Sequence, residues 1–375
     1  MNEHNEAAIL AAKLLVTDGP GTDERILGIE RLAPLGALME LVASQCYSKN
    51  HKIRAAAAFE IGRYEKCNWD RVEELTADRQ AKVRRKACLS LRNCDGSQEL
   101  LWSIAERVGE VDSVRTGAID SLARLAGPND ADQVVAGILS IAESSSFDEG
   151  YVYRSLQHAP CETARNWLLI DAQTAVNQGG LTEKLAATLL RALASQEPNS
   201  AIEELMIASL AALPGARTIA ARWLTQNPSI HARSALEQVL RDPSRGLVAA
   251  AVEALCAIGI EPSLETIQPL LHDDNKQALV IIRHLHGDRA AHLLWGLAHG
   301  GPVGLRAAAI DRLVRLEVRN LDTKLRLFLS DPNPNVRLAA FCGLQGLDAL
   351  AEDERETWAN DPVRWVSAES ANDAG

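Results

Sequence analysis

The sequence predicts an all-α fold, a solenoid of about ten or eleven stacked helix pairs. Three observations carry that expectation. Alanine and leucine dominate a chain with only 4% aromatic residues, a balance that favours helix over strand. The apolar residues fall at helical spacing. One short pattern recurs at 29–33 residues, and self-similarity at a fixed period marks a repeat architecture. The chain has 375 residues, more than one ordinary core, and 47% of them are apolar, too many for disorder. No apolar run approaches the ~18 residues of a membrane span.

Taken in order, residues 1–17 read as an amphipathic capping helix. Glu3 and Glu6 stand where a secretory leader carries Lys or Arg, and Lys13 interrupts the apolar stretch. Residues 18–350 read as the repeat solenoid. Its pattern is an aliphatic residue, usually followed by Arg, with Ala at offset 4 and another aliphatic at offset 8. It reads Ile53-Arg54, Ala57, Ile61, then Val83-Arg84, Ala87, Leu91, then Val114-Arg115, Ala118, Leu122. It returns as Leu247, Ala251, Leu255 with Val248 in place of Arg, as Leu305-Arg306, Ala309, Leu313, and as Val336-Arg337, Ala340, Leu344. The leading aliphatics are 30, 31, 133, 58 and 31 residues apart, which is one, one, four, two and one periods.

Offsets of 0, 4 and 8 share one stripe of a helix, and a second amphipathic run follows each turn, as at 97–108, 263–271 and 321–329. Two helices per period cannot bury their apolar faces alone, so the pairs stack. Asp78 and Asp331 precede Arg84 and Arg337 by six residues and are expected to cap the incoming helix, with Pro332 in the turn. Between 150 and 227 the helical runs persist, as at 181–196 and 215–226, without the arginine signature. Residues 351–375 read as an acidic cap whose end, 367–375, frays.

The pattern D-x4-[VIL]-R-x2-A-x3-L, complete at 78–91 and 331–344, resembles the HEAT-repeat family. The likeness is to its short bacterial form, as in HEAT-like proteins of the phycobilin-lyase type. The resemblance implies that first helices line the convex side, that second helices line the concave side, and that the task is to bind another macromolecule. A cytoplasmic, non-enzymatic scaffold, adaptor or inhibitor of a protein partner is the leading functional expectation. No cofactor and no membrane contact are expected.

Cysteines 46, 67, 88, 94, 161, 256 and 342 are odd in number and contain no C-x-x-C pair, so reduced thiols are expected. Fifty acidic against 39 basic side chains give a net charge of −11, unevenly spread. Residues 1–48 sum to −4, residues 49–92 to +6, residues 93–200 to −8, and the remainder to −5. The positive segment holds Arg79, Lys82, Arg84, Arg85, Lys86 and Arg92. It reads either as a docking stripe for nucleic acid or an acidic partner, or as ladder arginines plus a solvated helix face.

Four of the seven tryptophans, Trp69, Trp102, Trp167 and Trp295, fall on second helices. They are candidate interface anchors or wedges between units. Trp167 and Asp171 are spaced i,i+4, the nearest echo of HEAT-like alkylpurine DNA glycosylases, which pair tryptophans with a carboxylate. Five of nine histidines lie between 272 and 299. A metal site there would draw on His272, His284, Asp288 and His292, but local spacing fails. His284 and His286 point to different sides, His292 and His299 are seven apart, and Gly287 interrupts the run from His284 to Asp288. No His-Glu dipeptide of the deoxyhypusine hydroxylase type is present. A lyase or metal-dependent enzyme stays a third reading, and no Walker loop, dinucleotide fingerprint or nucleophile elbow occurs.

Overall fold

The computed structural model describes residues 3–33, 39–64, 69–94, 96–144, 147–260, 262–271, 276–285, 287–316, 318 and 320–359. They form helices and turns, with no strand among them. A first helix, α1 (Glu3–Asp18), packs on α2 (Thr22–Leu32), which pairs with α3 (Met39–Ser44). The next pairs are α4 (His51–Tyr64) with α5 (Trp69–Thr76), and α6 (Ala81–Ser90) with α7 (Gln98–Ala105). Then come α8 (Asp112–Leu125) with α9 (Ala131–Glu143), and α10 (Glu149–Leu156) with α11 (Glu162–Gln178). The pair α12 (Glu183–Ala194) and α13 (Ser200–Ala212) spans residues 205 and 206, where the chain divides into two compact units.

The second unit continues with α14 (Arg217–Gln226) and α15 (Arg233–Val239), then α16 (Arg245–Ala257) and α17 (Leu264–Ile267). It closes with α18 (Lys276–His284) and α19 (Gly287–Gly300), α20 (Val303–Arg315) and α21 (Leu321–Leu325), and α22 (Pro334–Gly346) and α23 (Glu352–Ala359). Eleven pairs therefore follow α1, which is the α-solenoid that the period implies.

In the first unit, α2, α4, α6, α8, α10 and α12 pack each on the next, and in the second α14, α16, α18, α20 and α22 do the same. The template explains why. Val83 and Ala87, Val114 and Ala118, and Val336 and Ala340 are all fully buried, and the small residue at offset 4 lets adjacent first helices approach closely. At Gly62 the approach is so close that a Cβ would sit 2.2 Å from that of Ser90. Second helices vary from 4 to 17 residues, and α3, α17 and α21 end in 3-10 turns at 45–47, 268–271 and 326–328.

The template arginine joins these layers in both directions. Backward, it donates to a carbonyl at the end of the preceding helix pair: Arg54 to Ser48 (2.8 Å), Arg84 to Asp78 (2.8 Å), Arg115 to Ala105 (2.8 Å), Arg306 to Ala298 (3.1 Å) and Arg337 to Asp331 (2.8 Å). Forward, it pairs with a carboxylate just ahead of the next first helix. Arg54 holds Asp78 through two bonds of 2.8 and 3.1 Å, and Arg84 holds Glu110 through two of 2.9 and 2.6 Å. Arg306 meets Asp331 in the same way. The acceptors are themselves fixed by backbone N–H donors, from Gln80 to Asp78, from Val111 to Glu110 and from Asn333 to Asp331.

Asp78 and Asp331 thus sit two residues ahead of the N-caps Gln80 and Asn333, rather than capping as the sequence suggested, because the arginine of the previous unit claims them. Two further rungs lie where the template is disguised. Arg25 donates to Val16 O (3.1 Å) and to Gln45 Oε1 (3.0 Å), and Arg217 pairs with Asp242 at 2.6 Å. Arg115 meets the Phe147 ring at 4.6 Å and lies 3.9 Å from Asp112 of its own helix. Between 115 and 217, Gln196 takes over part of the task. It is buried, donates to Leu156 O (3.2 Å) and accepts from Cys161 N (3.2 Å).

Cysteines 46, 88, 161, 256 and 342 are free, as expected, but Cys94 is disulfide-bonded to a partner outside the described residues. That corrects the all-thiol expectation, since pairing through space leaves no mark in local spacing. At the C-terminal end, Trp358 of α23 stacks on Phe341 at 4.2 Å. The 367–375 segment lies outside the described residues.

The rung carboxylates are only 5–11% exposed, so losing one partner strands a buried charge. Arg306→Ala is expected to cost about 3 kcal/mol in urea unfolding, and a loss below ~0.5 kcal/mol would reduce the rung to a surface pair. Burial alone would raise the Asp78 and Glu110 pKa values. The hydrogen bonds and charges of Arg54 and Arg84, with the backbone donors, outweigh it and hold both below their usual range. Their contribution is therefore complete above about pH 5 and is lost as pH falls below ~4, which an acid titration of unfolding will show.

Candidate functional site

The most developed surface cluster lies on the second helices α19 and α21. Trp295 and His299 are one turn apart on α19, Lys324 is on α21, and Phe328 ends the 3-10 turn that follows. The Trp295 and Phe328 rings stack at 6.3 Å with planes 12° apart, and His299 lies 4.9 Å from Phe328. Lys324 Nζ stands 4.9 Å over the indole, a cation–π contact. Phe328 is buried and Trp295 half-buried, while His299 and Leu327 are exposed, Leu327 at 65%. The indole Nε1 is buried without a hydrogen-bond partner among the described residues. This step joins a fixed aromatic floor to exposed apolar and cationic edges, the makeup of an interface anchor.

The other tryptophans divide differently. Trp102 on α7 is half-buried, and its ring edge lies where a Cβ on Gly137 of α9 would be, 2.6 Å away, so it wedges successive second helices. Trp167 on α11 packs against Tyr153 of α10 with ring centres 5.7 Å apart. Trp69 opens α5, and its side chain lies outside the described residues.

Asp171 does share this neighbourhood with Trp167. The buried Tyr153 hydroxyl donates to Asp171 Oδ2 at 3.1 Å and, more distantly, to Glu149 Oε2 at 3.5 Å. Burial raises the Asp171 pKa, the Tyr153 hydrogen bond opposes that rise, and the Glu149 charge adds to it. Burial also pushes the Tyr153 hydroxyl up, so it remains a donor. The pair therefore satisfies a buried phenol.

The basic segment separates into structural and free cations. Arg84 is a rung. Arg85 is half-buried, with its stem 3.1 Å from where a Gly117 Cβ would stand. Lys86 and Arg92 lie over the Phe59 ring at 4.1 and 5.6 Å, and burial, then Arg85, lowers the Lys86 pKa. Arg79 and Lys82 are the exposed pair.

Of the histidine candidates, His272 lies outside the described residues, as does the Asp288 side chain. His284 is half-buried at the end of α18, His292 is exposed on α19, and Gly287 (φ 73°) starts the new helix between them. Among the described residues no three His, Cys, Asp or Glu side chains come together to hold a metal ion. No described helix is long and apolar enough to cross a membrane. Burial drives the Cys46 and Cys88 thiols up to about 12, which leaves them unreactive at neutral pH.

Sequence reading missed Phe328, Tyr153 and Phe59, because each meets its partners across helices. Only the aromatic identity of these residues, rare in this chain, offered a signal.

Tyr153→Phe removes the donor to Asp171. It is expected to cost about 1–2 kcal/mol and to raise the Asp171 pKa further, read by carboxyl NMR titration. An unchanged or lower pKa contradicts the assignment.

No protein-family model matches the chain, and no curated protein matches it. Solved structures do. Yeast importin-beta (Kap95p) is 13% identical with a TM-score of 0.52, over 96% of this chain and 59% of that one. Kap95p in a structure with RanGDP is 13% identical with a TM-score of 0.53, over 98% and 61%. The chain thus spans about three-fifths of Kap95p. At these identities the likeness shows the fold, a HEAT-like helical repeat.

Proposed function

We propose that this chain is a non-enzymatic scaffold, adaptor or inhibitor that binds a protein partner along its second helices. The observation that carries the reading is the Trp295–Phe328 step, with Lys324, His299 and the exposed Leu327 at its edge. Stacked first helices are occupied by one another, whereas second helices keep a side toward solvent, and an aromatic anchor set there is what a partner surface selects. Kap95p, a structural neighbour, binds RanGDP, an example of such a repeat engaging a protein. The 29–33 residue period supports assignment to the short bacterial HEAT-like form, working in the cytoplasm. In this reading α1 and α23 cap the 18–350 stack.

The nucleic-acid alternative draws on Arg79 and Lys82, since Arg84, Arg85, Lys86 and Arg92 are engaged in packing and pairing.

The test is affinity capture from native lysate at moderate salt with nuclease, comparing wild type with Trp295→Ala and Leu327→Asp. One stoichiometric protein is expected with wild type, weakened about 30-fold in each variant at unchanged helicity. Equal capture by all three proteins, or salt-released nucleic acid in place of protein, overturns the reading.

A further inference from the structure

Three arginines of the second unit stand outside the ladder and converge on one cleft. It has a volume of about 440 Å³ between the first helices α18 and α20, lined by Leu279, Ile282, Arg283, Ala308, Asp311, Arg312 and Arg315. Every lining residue belongs to a first helix, so the cleft is separate from the Trp295 step.

Arg312 connects the two helices that border the cleft. Counting from the template arginine, the position of Arg312 is held by the small residues Ser90, Ser121, Ala254 and Gly343 in four other first helices and by the larger Arg31, Glu60 and Trp223 in three more. Arg312 reaches from α20 toward α18. It is half-buried, and its Nε donates to Leu285 O, just past the end of α18, at 2.9 Å. Arg312 thus bridges the two helices that border the cleft and belongs to its lining.

The cationic charge in the cleft is only partly compensated. The rungs described above match a guanidinium with a carboxylate or an amide, but Arg283 and Arg315 are exposed and make no hydrogen bond or ion pair with a described residue. Arg312 is committed through Nε only. Asp311 supplies one opposing charge, which leaves a net +2 from the four groups. Leu279, Ile282 and Ala308 add an apolar wall. Guanidinium clusters of this kind recognise tetrahedral oxyanions through forked, charge-assisted hydrogen bonds.

We infer that the α18–α20 cleft is a binding site for a phosphate monoester dianion, whose charge matches the net +2 and whose organic group rests on the apolar wall. The phosphate is carried either by a small molecule or by a phosphorylated side chain, since both present the same group. This site does not depend on the proposed partner face and takes a different ligand.

Calorimetric titration of the full chain tests it, with phenyl phosphate as one probe and a neutral phosphoserine peptide, beside its unphosphorylated twin, as the other. Saturable one-to-one binding of either phosphorylated probe is expected, and which of the two binds tighter identifies the source. Arg283→Gln and Arg315→Gln, which break no internal contact, should each weaken binding about tenfold. Arg355→Gln, an exposed arginine on α23, should leave it unchanged. Affinity should rise as pH passes about 6, where a phosphate monoester takes its second charge. The inference is overturned if neither phosphorylated probe binds, if the unphosphorylated peptide binds equally well, or if the cleft variants bind like wild type.

Discussion

One interaction recurs in the first helices α2, α4, α6 and α20: a guanidinium that reaches back to a carbonyl of the preceding pair and forward to a group at the threshold of the next. Arg84 shows the complete form, with Asp78 O behind it and the Glu110 carboxylate ahead. A pair of helices cannot choose its neighbour's angle through apolar contact alone, because burial is non-directional. The fork of the arginine is directional, and it consumes carbonyls and N–H groups that would otherwise be orphaned at helix ends. With registry fixed there and small residues closing the first helices together, the second helices carry fewer of these constraints. Their lengths range from 4 to 17 residues, and α3, α17 and α21 end in 3-10 turns.

That division separates two kinds of cation that composition cannot tell apart. In the segment 49–92, Arg54 and Arg84 are structural, Lys86 and Arg92 cover the Phe59 ring, and Arg79 and Lys82 reach solvent. The local charge of +6 therefore overstates what a partner would meet. In the second unit the balance is reversed. Arg283, Arg312 and Arg315 lie in residues 276–316, whose net charge is +4, and they collect without carboxylate rungs around one cleft. Position in the repeat decides whether an arginine is neutralised, and net charge along the chain does not.

The period, the pairing of helices and the first-helix stripe were legible in the sequence, because all three depend on offsets of four and eight residues within one helix. What joins the units was only half legible. Asp78 and Asp331 stood out by their place six residues before an arginine, but their partners lie 24 and 25 residues upstream, at Arg54 and Arg306. No local pattern encodes that distance. Arg25 and Arg217 escaped notice because Glu24 and Ala216 replace the aliphatic residue before them. Gln196 performs its bridging with a neutral amide that resembles nothing in the template. The candidate site followed the same logic. Helix assignment placed Trp102, Trp167 and Trp295 on second helices, but the roles of wedge, phenol neighbour and surface step were set by Gly137, Tyr153 and Phe328, residues 35, 14 and 33 positions away.

If registry resides in the first helices and freedom in the second, the two layers differ in local stability. Native-state hydrogen exchange measures this directly, amide by amide. Amides of α4, α6, α8, α20 and α22 should open only with the global transition, whereas those of α5, α7 and α21 should exchange through smaller local openings. Uniform protection of both layers, or greater protection in the second helices, would contradict a fold that is held together by its arginine rungs.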